Sequence, residues 1–338
     1  MKGLIIINPY IIYTNGRFDL GERVRLAWSG CTITFKFYGT GVRGVFKSTG
    51  NDYFIVKVDE VVTNKKLNIK DYTEVDLVKD LPLDVHTIEL IKRTEYNIGC
   101  TELIDLIIYD GEIIVSDKVQ YDLKIEFIGD SISAGYGVDS TEFSTEEVLK
   151  LAYDPQYDNA ADTYCFLTAK ALNAEYHIIA CSGHGLIRNY NDNQVPLMPE
   201  MLDKITPLST ELWDFHKWIP DMVVINLGTN DFSVGYTPDK EPFVKAYIEL
   251  IKRLKVYYQN TKFICTVGPC VTGKSLTHLS DYVQEVVNYF KQNNDNKVYY
   301  LEYPHHTYAD GYGVSYHPSK KTHKKMAELL INRIKEIL

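Results

Sequence analysis

The feature that most constrains this chain is a change of periodicity near residue 121. From Leu123 onward, short apolar runs recur at intervals wide enough to hold a helix. They are LKIEFI at Leu123–Ile128, YHIIAC at Tyr176–Cys181, MVVINL at Met222–Leu227, KFICTV at Lys262–Val267 and KVYYLE at Lys297–Glu302. Near-continuous apolar runs are what parallel strands need when both faces of the sheet are covered. Between the third and fourth runs, Phe243, Tyr247, Leu250, Leu254 and Tyr257 fall three or four residues apart. That spacing predicts a helix over Glu241–Tyr258, with Pro242 suited to its first turn. A second helix is predicted from about Ser319, a suitable N-cap, to Ile337. Five strands interleaved with helices predict an α/β fold, a five-stranded doubly wound parallel sheet with helices on both faces.

Before residue 121 the pattern is different. TITFKFY at Thr32–Tyr38, DYFIVKV at Asp52–Val58, HTIELI at His86–Ile91 and LIDLIIY at Leu103–Tyr109 are rich in β-branched and aromatic residues. They alternate at period two, and glycine-containing stretches at Tyr38–Gly41 and Ser48–Asp52 read as the turns between them. No ten-residue helical pattern appears. An antiparallel β-sandwich is expected over residues 1–120, followed by the α/β domain over 121–338. The boundary stretch Ser116–Asp122 is polar but lacks a Gly/Pro linker. The two domains are therefore expected to pack together rather than swing.

Composition removes several classes of function. With 36 Lys+Arg against 45 Asp+Glu, the formal net charge is −9, and no basic run relieves it, so nucleic acid is not an expected partner. The longest apolar stretches fall far short of the ~20 residues of a membrane helix. The first residues, MKGLIIINPYIIYTNG, hold a short apolar run, Leu4–Ile7, broken by Asn8 and Pro9. That is too short for a secretory signal, and a cytoplasmic location is the expectation; a start further upstream would reopen secretion. The six cysteines form no CxxC pair and read as free thiols, with Cys31–Cys100 the bridge to check first. Composition says nothing about oligomeric state.

Ligands of doubly wound sheets sit beyond the carboxyl ends of the strands. There the chain places Gly129-Asp130-Ser131 after the first strand, Ser182-Gly183 after the second, and Gly228-Thr229-Asn230-Asp231 after the third. Asp310, Tyr316 and His317 lie after the fifth. Ser131 is a nucleophile only if a base takes its proton, and His317 is the best candidate base. The N–H groups of Ser131 and Gly183 and the carboxamide of Asn230 are suited to hold a developing oxyanion. Each residue alone has an ordinary explanation. Gly183 suits a strand-end turn, Asn230 a turn that bonds its own backbone, and His317 the end of a loop before Pro318. Their joint occurrence, in this order along the chain and each after a strand, is what points to acyl transfer.

These blocks resemble a known family. FIGDSISAGYGV, CSGHGLIRN, INLGTNDFS and SYHPS are similar to the consensus blocks of the SGNH (GDSL) hydrolases, serine esterases on a flavodoxin-like sheet. The first half, with WSGCTITFKFYGTGVRGVF, NDYFIVKVD and HTIELIKRTEYNIG, resembles the N-terminal domain of carbohydrate esterase family 2. The resemblance covers nearly the whole chain. It implies a jelly roll for the sandwich, Ser131 as nucleophile, Ser131, Gly183 and Asn230 as oxyanion hole, and His317 as base. It also implies O-deacetylation of sugars, with acetylated xylo- or (gluco)manno-oligosaccharides as substrates and no cofactor.

One position departs from that pattern. The superfamily usually carries an aspartate two or three residues before the histidine, where this chain has Ser315 and Val314. A Ser131–His317 dyad is expected, the second ring nitrogen of His317 donating to a backbone carbonyl or a hydroxyl, with Asp310 as the rival acid. Tyr316 stands where relatives often carry tryptophan, and either stacks on a sugar or packs against its own loop. His305, His306, Asp310, His317 and His323 invite a metal reading, but no HExxH is present and Pro318 separates His317 from His323, so no metal is expected. The alternatives are a lipase-like or thioesterase member of the superfamily, and a sugar-binding protein with a decayed hydrolase site.

Overall fold

The computed structural model describes residues 12–20, 23–115, 119–140 and 143–338. The first eleven residues, on which the signal-peptide reading rests, and part of Ser116–Asp122 lie outside these. The chain begins with a nine-stranded sheet: β1 (Ile12–Asn15), β2 (Asp19–Leu20), β3 (Val24–Leu26), β4 (Thr32–Gly39), β5 (Gly41–Val58), β6 (Val61–Val78), β7 (Asp84–Lys92), β8 (Thr101–Tyr109) and β9 (Glu112–Ile114). All its pairings are antiparallel.

The sandwich is made by one sheet curling on itself. The 18-residue β5 pairs with β8 through its first half, Gly41–Ser48, and with β7 through its second, Phe54–Val58. The stretch Ser48–Asp52, expected as a turn, is instead the crossing point inside β5, where the register to β6 also shifts. Gly50 is needed there because an added Cβ would lie 1.8 Å from the Ile98 carbonyl oxygen. Strand β6 escapes the sequence pattern because it is an edge strand. Among the described residues it pairs only with β5, and its VVTNKKLNIKDYTEVDLV turns charged residues to solvent, burying Leu67, Ile69 and Leu77.

The second sheet is parallel and holds β10 (Leu123–Gly129), β11 (Ala174–Ala180), β12 (Met222–Asn226), β13 (Lys262–Val267) and β14 (Val298–Glu302), in the order β11-β10-β12-β13-β14. Between them run α1 (Ser131–Ala134), α2 (Thr145–Val148), α3 (Tyr164–Ala171), α4 (Met198–Leu202), α5 (Lys240–Tyr257) and α6 (Gly273–Gln292), and α7 (Lys320–Ile337) closes the chain. The strand order reverses at β10, so β10 and β12 flank the switch point where such sheets bind ligands. Among the described residues, no helix is long and apolar enough to cross a membrane.

The two sheets are docked through buried polar bonds as well as apolar contact. Arg17 pairs with Glu126 of β10 at 2.9 Å, both side chains fully buried. Removing one partner would strand a buried charge, at about 3–5 kcal/mol. Trp28 Nε1 donates to the Ile205 carbonyl at 2.8 Å, and the Tyr176 hydroxyl donates to Gly30 at 2.8 Å. The six cysteines are free thiols, Cys31 and Cys100 among them.

Candidate active site

Ser131 is the first residue of α1, so its amide has no acceptor within the helix. Asp130 caps that helix by accepting from Ile132 N at 3.0 Å. Burial, with Asp231 nearby, pushes the Asp130 carboxyl up to about 7. The Ser131 hydroxyl lies 2.8 Å from His317 Nε2. The other ring nitrogen, Nδ1, lies 3.1 Å from the carbonyl of Val314. That carbonyl reaches back because Ser315 and Tyr316 both take left-handed backbone angles, φ +55° and +62°. A tight turn thus supplies an acceptor where the superfamily usually has an acid. Burial draws the imidazole down to about 4, partly offset by the backbone bonds, so the ring is a neutral proton acceptor at neutral pH.

Asp310 is turned elsewhere. Its carboxylate accepts from Lys325 at 2.6 Å and Thr307 at 2.9 Å, with Lys321 at 3.4 Å, and the Lys325 bond leads in holding it down at about 2. Among the described residues no carboxylate hydrogen-bonds His317. We expect Asp310→Asn to change kcat by less than about tenfold, or ~1.4 kcal/mol. A loss near 10³, with circular dichroism unchanged, would assign Asp310 to a triad.

Gly183 follows β11 with φ +80°, and that angle is why glycine stands there. Steric approach is not the reason, since an added Cβ would meet nothing closer than 3.9 Å. Its N–H donates to no backbone carbonyl among the described residues. Asn230 does not bond its own turn. Its carboxamide donates to the His184 carbonyl at 2.8 Å and makes a long 3.4 Å contact to Asp130. One amide hydrogen is thus well held and the other barely used. Neighbouring Asp231 accepts from the amides of Leu186, Ile187 and Arg188 at 2.8–3.0 Å, tying the loop after β12 to the loop after β11.

The first sheet reaches this rim through the loop after β7. Fully buried Glu95 accepts from both the amide (2.8 Å) and the hydroxyl of Ser182, the residue before Gly183. The Tyr96 hydroxyl lies 3.0 Å from His184 Nε2, while His184 Nδ1 is 2.6 Å from the Pro196 carbonyl. Glu95 and Tyr96 therefore brace the residues on either side of Gly183. Neither was singled out from sequence, although both lie within the block RTEYNIG. Nothing local in that block says which distant loop it will touch.

Ser131, Gly183, Asn230, Tyr316 and His317 all line one cleft of about 740 Å³, with Tyr136, Tyr190, Tyr312, His305 and His306. Tyr316 is 61% exposed, and its ring stands 5.6 Å from that of Tyr312 in the same loop. The histidines are engaged separately. His305 Nδ1 is 2.8 Å from the Pro269 carbonyl, and buried His323 accepts from the Tyr164 amide. No group of three His, Cys, Asp or Glu suited to a metal ion occurs among the described residues.

Residues 125–330 match the family model described as GDSL-like Lipase/Acylhydrolase, and residues 14–116 match that described as Carbohydrate esterase 2 N-terminal. A family two carbohydrate esterase from Clostridium thermocellum, solved in complex with cellohexaose, superposes with a TM-score of 0.91. It is 37% identical, and the match covers 96% of this chain and 98% of that one. The chain belongs to carbohydrate esterase family 2. Among family 2 relatives and their kin, the Cellulase/esterase CelE of Acetivibrio thermocellus is 39% identical over 334 residues, 98% of this chain. The match spans only 40% of that longer protein. An Acetylxylan esterase / glucomannan deacetylase of Cellvibrio japonicus is 28% identical over 296 residues, covering 86% of this chain and 78% of its own.

Proposed function

We propose that this family 2 chain is a carbohydrate O-acetylesterase working through an acyl-enzyme on Ser131. The observation that carries the reading is the 2.8 Å contact between Ser131 Oγ and His317 Nε2 in a cleft shared with Gly183 and Asn230. Nε2 takes the Ser131 proton as Oγ bonds to the acetyl carbonyl carbon and the carbonyl π pair moves to oxygen. The amides of Ser131 and Gly183 and the Asn230 carboxamide hold that oxyanion. Collapse expels the sugar alkoxide, which takes the proton from Nε2. Water, deprotonated by the same nitrogen, then attacks the acetyl carbon of the acetyl-serine, and collapse of the second oxyanion breaks the bond to Oγ, which takes the proton back from Nε2 as the acetic acid leaves.

The substrate class is argued from the walls. Tyr190, Tyr312 and Tyr316 with His305 and His306 give flat rings edged by polar groups, which suits a sugar better than an acyl chain. Tyr316 is assigned to stack on the acetyl-bearing sugar. The named activities and the bound cellohexaose of the relatives support the same class.

A panel of acetylated xylo- and manno-oligosaccharides, with 4-nitrophenyl acetate and octanoate beside them, tests the reading. Acetate release from the sugars is expected, with the acetate ester preferred over the octanoate by at least about tenfold. Preference for octanoate, with acetylated sugars untouched, would favour the lipase-like alternative. Binding of the sugars without acetate release would favour the decayed site.

A further inference from the structure

His317 is asked to become an imidazolium in a place poorly built for one. It is shielded from water on its inner side, and its Nδ1 partner is the neutral Val314 carbonyl rather than a carboxylate. A carbonyl orients the ring but balances little of its charge. Something else has to face the cation.

The ring that faces it is Tyr136. Its centroid lies 4.3 Å from that of His317, with the planes 37° apart, so the two meet face toward face rather than at an edge. That is inside the ~6 Å reach over which an aromatic face attracts a cation. Behind it, Tyr153 stacks on Tyr136 at 4.4 Å and 10°. Two rings at such distances cannot share one face of Tyr136, so Tyr153 and His317 sandwich it. Tyr153 is itself fixed, its hydroxyl donating to buried Asp158 at 2.7 Å, and Asp158 also accepts from the Gly137 amide at 2.9 Å. The stack is thus anchored at its far end and open to the cleft only at its catalytic end.

We propose that the face of Tyr136 stands in for the absent carboxylate, stabilising the imidazolium that His317 becomes when it takes the Ser131 proton. Tyr136 acts through His317 and is a positioning residue, not a member of the dyad. The proposal rests on the reading of His317 as the base. It differs from simple packing because it depends on the electron density of the ring and not only on its shape.

The test separates those two. Tyr136→Phe keeps the face and should retain kcat within about threefold. Para-fluoro-, difluoro- and trifluorophenylalanine at position 136 then withdraw charge from the face in steps while nearly preserving shape. The logarithm of kcat for 4-nitrophenyl acetate should fall steadily along the series, by about tenfold overall, with KM little changed. Tyr136→Leu, which removes the face, should fall at least as far. A flat series would overturn the proposal, and so would a Tyr136→Leu protein as active as wild type. His317→Ala is the control: if it retains wild-type turnover, the failure lies in the assignment of the base. If it abolishes turnover while the fluorinated series stays flat, the failure lies in the role given to Tyr136.

Discussion

Ser131→Ala is expected to abolish hydrolysis of 4-nitrophenyl acetate, lowering kcat by about 10⁴-fold or more. The substitution removes one oxygen from a residue that is 8% exposed, so the fold has little to lose. It removes the only hydroxyl bonded to His317 among the described residues, and with it the group that carries the acyl chain. Loss of the rapid initial release of nitrophenol should accompany the loss of steady turnover. Retention of even a tenth of wild-type activity would mean that another group, or water alone, attacks the ester.

Asn230→Ala is expected to lower kcat by about 10²–10³, the usual cost of one oxyanion donor. KM should move much less, because the donor matters most once charge has developed on the oxygen. The geometry adds a second cost in the same direction. The carboxamide also holds the His184 carbonyl at 2.8 Å, so its removal loosens the loop that carries Gly183. Kinetics on acetylated xylo-oligosaccharide, with thermal unfolding alongside, would check this. A raised KM at unchanged kcat would make Asn230 a substrate-binding residue instead.

What could be read without a structure was whatever the chain states locally. The five parallel strands were legible because burial on both faces leaves an unbroken apolar run, as in Met222–Asn226, where every residue is buried. Helices α5 and α7 were legible from their apolar stripes. The connections over 130–173 and 181–221 were not, since their described residues hold only short helices and turns such as α1, α2 and α4. In the first sheet, the solvent face of β6 hid a strand, and Gly50 looked like a turn because glycine has the same appearance in a turn and at a close backbone crossing.

The site divides along the same line. Ser131, Gly183, Asn230 and His317 lie just past strand ends or in the loop that follows, so the strand pattern alone puts all four on one rim, although Gly183, after edge strand β11, precedes Ser131 along it. The structure brings these four together with Tyr316 in one cleft. Glu95, Tyr96 and Tyr136 were not singled out, because what they do depends on which surface they meet. Asp231 lay within a quoted block but showed its importance only through the three amides it gathers from another loop.

The hold of Glu95 on Ser182 has a consequence for how this protein can be taken apart. A cut between the sheets would leave the parallel half with its serine, histidine and asparagine, but it would strip the acceptor from the residue beside Gly183 and the hydroxyl from His184. The segment expected to catalyse would then carry a slack anion cradle. The curled sheet is therefore part of the enzyme's working unit, not an appendage, and anyone grafting this activity into another scaffold has to move both halves as one piece.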